Sequence, residues 1–281
     1  MHTTTVRLSG GPATLAYDRT GTGPAVILVH GTAAGRAQWT GLTAELADRY
    51  TVVALDYSGS GDTVDHGGPL TLADLAAEVR AVADHAGLDR FHLVGHSLGA
   101  VIAAYVAATA PERALSLLMH AGWVRTDTRM DAEFRYWISL LHNDARYNTN
   151  SFAQMLPLMA FGPLYWKQVE AEENIAVVNQ LTSVIAPGAD RQTEVDRSVD
   201  LTDMLGRITA PTLVLASAHD RLVPAEQQQQ LIASITNAQY AEVDAGHGAP
   251  GEDPDGFHAK IIGFLDSRTP HCELATEQAE P

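Results

Sequence analysis

The sequence predicts an α/β fold: a mostly parallel, doubly wound sheet with helices on both faces. Two observations carry this. Short, continuous runs of Val, Ile and Leu recur along the chain at strand length. Segments with helical periodicity separate them. Unbroken apolar runs suit strands covered on both faces, the situation in a parallel sheet. The alternation of the two patterns implies βαβ units.

In chain order, AVILVH (Ala25 to His30) and YTVVALD (Tyr50 to Asp56) read as buried strands. TLADLAAEVRAVADHAG reads as an amphipathic helix, with Thr71 as N-cap, Asp74 at the capping-box position and Gly87 closing it. FHLVGH (Phe91 to His96) is the next strand, and LGAVIAAYVAATAP is a strong helix directly after it. LSLLMHA (Leu115 to Ala121) and PTLVLASA (Pro211 to Ala218) are further strands, and a last one spans Tyr240 to Val243.

The rhythm breaks between about Val124 and Gly206. Few strand-like runs occur there, and Phe134, Trp137, Ile138 and Leu141 fall on one helix face. A helical insertion between two strands of one sheet is expected, and a lid is its commonest use. The expected organisation is a core of residues 1–123 and 207–268, a helical lid of 124–206, and a disordered polar tail of 269–281.

Composition narrows the function. The chain has 281 residues, 46% of them hydrophobic, enough for one large domain with a substantial core. Its formal net charge of −16 argues against nucleic acid and anionic membranes as partners. Cys272 is the single cysteine, so no internal disulfide can form. The N-terminal segment shows no signal-peptide pattern, and no run reaches the roughly 18 apolar residues of a membrane helix. A cytoplasmic protein is expected.

The chemistry gathers at FHLVGHSLGA. Gly95, Ser97 and Gly99 form G-x-S-x-G between a strand and a helix. That spacing is the nucleophile elbow: a sharp turn projects the serine hydroxyl, and the glycines leave room for the backbone opposite. The following helix directs its N-terminal amides at the serine and favours negative charge there. A serine needs a base. His247 stands between Gly246 and Gly248 in a loop after the last strand, and Asp220 follows a buried strand in the turn before Val223 and Pro224. Asp220 is suited to orient His247, which would take the Ser97 proton. For a developing oxyanion, the Thr32 and Leu98 backbone amides are the best donors, with Ala33 as the fallback. His30 is expected to order its loop, and His96 to pack away from or beside the site.

With these motifs in view, the chain resembles the α/β-hydrolase family, of the single-domain, lid-bearing serine type. The resemblance rests on His30-Gly31 with Trp39 downstream, LDYSGSGDT, GHSLG, PTLVLASAHDRLVP and AGHG, and covers nearly the whole length. In that family the turn after the fourth strand reads D-x-x-G-x-G-x-S. Asp56, Gly59 and Gly61 match it, and Thr63 replaces the serine. The element is structural there, so Asp56 is not the expected triad acid. Some members carry the acid after the sixth strand, but HAGWVRTD has no carboxylate before Asp127, which leaves Asp220. Serine at the elbow separates the chain from relatives with an aspartate nucleophile. Ala100 after Gly99 disfavours the C–C bond hydrolases, whose elbow ends in two glycines.

The resemblance implies hydrolysis of an ester, lactone or thioester through an acyl-enzyme, with no metal or organic cofactor. C–C hydrolysis, perhydrolysis, acyl transfer or cyclisation, or weakly catalytic ligand binding are the alternatives. The insertion is rich in large apolar groups, and no arginine cluster stands near a catalytic motif. A small, largely hydrophobic substrate is therefore expected, in a pocket lined in part by Trp123, Trp137, Met155, Met159 and Phe161.

Overall fold

The computed structural model describes residues 1–268. The segment read as a tail, and Cys272 within it, lies outside the described residues.

Eight strands form one sheet in the order β1-β2-β4-β3-β5-β6-β7-β8. They are β1 (His2–Leu8), β2 (Gly11–Thr20), β3 (Ala25–Val29), β4 (Thr51–Asp56), β5 (Phe91–His96), β6 (Ala114–His120), β7 (Thr212–Ser217) and β8 (Ala238–Val243). From β4 to β8 every pairing is parallel, and β1 and β2 add on antiparallel. This N-terminal hairpin is an addition to the strands read from the sequence.

Helices cover both faces. Alternate residues of β3 enter opposite layers, as the two-residue period of a strand requires. Ile27 and Val29 face the layer built with Val79, Val82, Val101 and Ile102. These come from α2 (Leu72–His85) and α3 (Leu98–Thr109). Val26 and Leu28 face Leu42, Leu46, Phe257 and Ile261, from α1 (Thr40–Leu46) and, through the last two, α11 (Pro254–Asp266). The start of α2 is fixed as its sequence suggests: the Thr71 side chain accepts the Asp74 amide, and Gly87 follows with φ +71°. The Asp74 carboxylate is also drawn to the hairpin, accepting the Ser9 amide at 2.8 Å and the Ser9 hydroxyl at 2.7 Å.

Between β6 and β7 lie α4 (Thr128–Tyr147), α5 (Ser151–Ala160), α6 (Pro163–Gln168), α7 (Ala171–Val184) and α8 (Ala189–Ser198). Phe134 and Trp137 of α4 are buried against the core, with ring centroids 5.4 Å apart. After β7 come α9 (Ala225–Ser234), then β8, then the short α10 (Ala249–Glu252). No helix among the described residues is long and apolar enough to cross a membrane.

Candidate active site

The site lies at the carboxyl ends of the strands, where side chains from separate loops converge in an open parallel sheet. Ser97 follows β5 with φ 55° and ψ −122°, a sparsely populated conformation for a residue with a Cβ. The surroundings enforce it. A methyl on Gly95 would come within 3.0 Å of the Gly99 carbonyl, and one on Gly99 within 3.0 Å of the Val29 and His30 carbonyls. The Ser97 amide donates to the His120 carbonyl at 2.9 Å, which ties the turn to β6.

Three predicted side chains come together. The Ser97 hydroxyl lies 3.0 Å from His247 Nε2, and His247 Nδ1 lies 2.9 Å from Asp220 Oδ2. Asp220 Oδ1 accepts the Leu222 and Val223 amides at 2.8 and 2.9 Å. Burial pushes the Asp220 carboxyl up, but His247 and these two amides outweigh it and hold it below its ordinary value. An ionised Asp220 accepts from His247 Nδ1–H. That leaves Nε2 as the acceptor for the Ser97 O–H.

The loop carrying His247 is packed against the insertion. The Gly248 amide donates to the Ala160 carbonyl at 2.9 Å, and a methyl on Gly248 would strike the Phe161 ring. Glu252 Oε2 accepts both the Gly246 amide at 2.7 Å and the Gly162 amide at 2.9 Å. One carboxylate thus joins the histidine loop to the turn between α5 and α6.

Of the two expected oxyanion donors, Leu98 directly follows Ser97, and Thr32 lies in the loop after β3. Gly31 precedes Thr32, and a methyl on it would come 3.3 Å from the Ser97 Cβ. The Leu98 amide is the first of α3. Ala33, the fallback donor, is engaged elsewhere: its amide donates to Gln192 Oε1 at 2.9 Å.

The remaining candidates have structural environments. His30 stacks on Tyr57 at 3.9 Å, its Nδ1 lies 2.7 Å from the Gly31 carbonyl, and its Nε2 lies 3.0 Å from the Ser60 hydroxyl. Burial lowers its pKa to about 4, so its ring is neutral and orders the loop. Asp56 accepts the Arg36 amide at 2.7 Å and the Asp62 amide at 3.0 Å, and it pairs with the Arg36 guanidinium. Thr63 donates to the Asp56 carbonyl at 2.6 Å. His96 packs beside the site, its ring centroid 5.1 Å from that of His247. Trp123 and Trp137 are buried in the core layer, and Met155, Met159 and Phe161 pack partly buried against it.

Sequence reasoning missed a second tier of polar residues. His96 Nδ1 lies 2.8 Å from His120 Nδ1, and His120 Nε2 lies 2.9 Å from the Ser217 hydroxyl. Burial depresses both imidazoles, which keeps them neutral. The register of two adjacent parallel strands, which sets His96 opposite His120, was the available signal. Gln192 and Asp196 of α8 reach the loop after β3, Asp196 accepting the Thr32 hydroxyl at 2.7 Å. Among the described residues no three His, Cys, Asp or Glu side chains are grouped to hold a metal ion.

The model of the alpha/beta hydrolase fold family matches residues 24–254, most of the chain. The chain belongs to the α/β hydrolase family. This α/β hydrolase is 33% identical over 258 residues to pyrrolizixenacetamide deacetylase of Xenorhabdus hominickii, covering 91% of this chain and 96% of that one. It is 32% identical over 264 residues to RutD of Azorhizobium caulinodans, covering 91% and 96%; that protein's name assigns it, provisionally, to carbamate hydrolysis. In structure it resembles a thermophilic esterase of Thermogutta terrifontis, with a TM-score of 0.82 at 24% identity over 95% of this chain and 99% of that one. That last likeness concerns the fold.

Proposed function

We propose that this α/β hydrolase is a serine hydrolase that cleaves an ester, lactone or thioester of a small, largely hydrophobic substrate. The observation that carries the reading is the hydrogen-bonded series Asp220, His247, Ser97, with Ser97 at a strained turn. Ser97 attacks the carbonyl carbon while His247 takes its proton. Asp220 holds the imidazole in the required tautomer and stabilises the imidazolium. The Thr32 and Leu98 amides donate to the oxyanion. His247 then returns the proton to the leaving group, and a water, activated by the same imidazole, releases the acyl group. The insertion serves as a lid, and Met155, Met159 and Phe161 line part of the pocket beneath it.

A second reading is cleavage of an N-acyl bond by the same residues. It is favoured by the 33% identity to a deacetylase over nearly the full length of both chains. The triad serves both reactions, because the tetrahedral intermediate is common and only the leaving group differs.

The test is a turnover panel of p-nitrophenyl esters, lactones, acyl thioesters and N-acetyl amides, alongside fluorophosphonate labelling. Ser97→Ala should abolish labelling and turnover while the fold persists. Labelling that persists on another serine overturns the assignment. Highest kcat/KM for charged dicarboxylate half-esters, with no response to apolar chain length, would contradict the hydrophobic pocket.

A further inference from the structure

Helix α8 reaches the loop after β3 with two side chains one turn apart. Gln192 and Asp196 are spaced i, i+4 and so share a face. Both are buried, at 0% and 1% exposure. Gln192 Oε1 accepts the Ala33 amide at 2.9 Å, and its Nε2 donates to the Ser58 carbonyl at 3.1 Å. Asp196 Oδ2 accepts the Thr32 hydroxyl at 2.7 Å, while its buried Oδ1 has no hydrogen-bond partner among the described residues. Successive residues of one turn are thus held by successive turns of one helix.

The turn needs holding. Ala33 has φ 62°, a conformation strained for a residue with a Cβ, which persists only where the surroundings fix it. The helix cannot slide to follow a drifting loop. Gly188, its N-cap, abuts Gly59, and a methyl on either glycine would come within 3.0 Å of the other's backbone. Burying a carboxyl and an amide also costs desolvation that apolar side chains would avoid. Apolar packing would seat α8 without fixing Thr32 and Ala33, so the polar pair is accounted for by the turn it grips.

We propose that Gln192 and Asp196 are positioning residues: they hold the Thr32–Ala33 turn so that the Thr32 amide meets the developing oxyanion. The inserted helices thereby set the geometry of the oxyanion site. The inference rests on the serine-hydrolase reading above.

The charge state of Asp196 adds a signature. Burial pushes its carboxyl up to about 7, against the downward pull of the Thr32 hydroxyl and His247. It is neutral at lower pH, and on ionising it sets a negative charge beside Thr32, which opposes an oxyanion there. Of the other titratable groups around α8, Glu78 is raised by burial to about 8, and its hydrogen bonds come from Ser58, whose carbonyl Gln192 holds, and not from Thr32 or Ala33. Burial raises the Tyr57 hydroxyl well above its ordinary value. Asp131 and His142 of α4 pair with Arg197 and Asp190, and Glu194 also pairs with Arg197. Asp65 pairs with Arg191. His247 is engaged with Asp220.

The test is a double-mutant cycle on the full chain, with p-nitrophenyl acetate as probe. Thr32→Val and Asp196→Ala should each lower kcat about tenfold or more with little change in KM, as expected of groups that act only in the transition state. The double variant should be no slower than the slower single, because both substitutions break one contact. Asp196→Asn keeps an acceptor but cannot ionise. It should match the parent at about pH 6 and retain activity at about pH 8, where the parent declines. Losses that multiply in the double variant, or a basic-side decline that persists in Asp196→Asn, overturn the inference. Should Asp196→Ala fail to fold, Thr32→Val and Asp196→Asn decide alone. Turnover surviving in Ser97→Ala would instead overturn the serine-hydrolase reading. With Ser97→Ala inactive, uncoupled Thr32 and Asp196 variants defeat only the positioning role.

Discussion

Strand β4 buries all six of its residues, whereas α7 buries none of its fourteen. Strand β4 pairs on both sides within the sheet, and its Val53 and Leu55 pack into one apolar layer while Val52 and Ala54 pack into the other. The insertion contains α7 at one extreme and α8, with Gln192 and Asp196 fully buried, at the other. Its Phe134, Trp137, Phe152 and Val195 join the core cluster, and polar contacts add to that packing: the α8 pair on the Thr32–Ala33 turn, and Glu252 between Gly162 and Gly246. The sheet is thus held by apolar packing on both faces, whereas the insertion adds to its apolar packing a few polar anchors that reach the loops carrying Thr32 and His247. A change in the core should register as stability. A change at an insertion anchor should register as altered chemistry.

The largest effect tests the point where the two regions meet. Ser97→Ala should lower hydrolysis about 10⁶-fold, as removal of a triad nucleophile does elsewhere, with an unchanged melting temperature. Next, Asp220→Asn should lower kcat about 10⁴-fold by losing the tautomer control of His247. Asp56→Asn, which weakens the Arg36 contacts, should instead lower the melting temperature and leave the chemistry of the folded enzyme nearly intact. If Asp56→Asn removes catalysis at unchanged stability while Asp220→Asn retains it, the roles of the two aspartates are reversed.

Within the core, Gly99→Ala should cost about 3 kcal/mol or more, because the added methyl meets the Val29 and His30 carbonyls in a layer that cannot yield. Urea unfolding measures it, and a loss below about 1 kcal/mol would mean that the elbow relaxes freely. A pH titration separates the regions more gently. Burial raises the Glu78 carboxyl to about 8 from an ordinary value of 4.5, against hydrogen bonds from Ser58. A raised folded pKa gives stability that is fully present below the unfolded value and is lost as pH rises through the folded one. Stability should therefore decline between about pH 4.5 and 8. Glu78→Gln should lessen that decline, leaving the part that Asp196, raised to about 7, contributes by the same sign, and an identical slope in both proteins refutes the assignment. Least of all, Ile175→Ser on α7, where the side chain is 58% exposed, should shift stability by under about 0.5 kcal/mol.

Legibility in the sequence follows the same division. Strands β3, β4, β5, β6 and β7 were readable because burial on both faces demands continuous apolar runs. The β1–β2 hairpin was not, since one face is exposed and HTTTVRL offers threonines where the inner strands show Val and Leu. Ser97, His247 and Asp220 were marked by glycines or by a strand end, which are local requirements of the backbone. Gln192 and Asp196 lie in ADRQTEVDRS, whose composition is that of a solvated helix face. Their burial depends on a loop more than 150 positions earlier in the chain, and no local pattern records it. Asp74 shows a middle case: its helix-capping role was evident, its contact with Ser9 was not.

The outermost strands have a consequence for self-association. A sheet edge carries unpaired amides and carbonyls that can template pairing with another chain. Without the hairpin, that edge would be β4, TVVALD, an apolar segment of high β-propensity. β1 and β2 cover it, and β1 turns mostly threonine, histidine and arginine outward. At the opposite edge β8 reads AQYAEV, with Glu242 and the half-exposed Tyr240. Deleting the first twenty residues would remove none of the catalytic candidates from the chain, yet expose a strand ready to nucleate intermolecular β-pairing. Colloidal behaviour in this fold is thus governed at its margins, by residues remote from the serine.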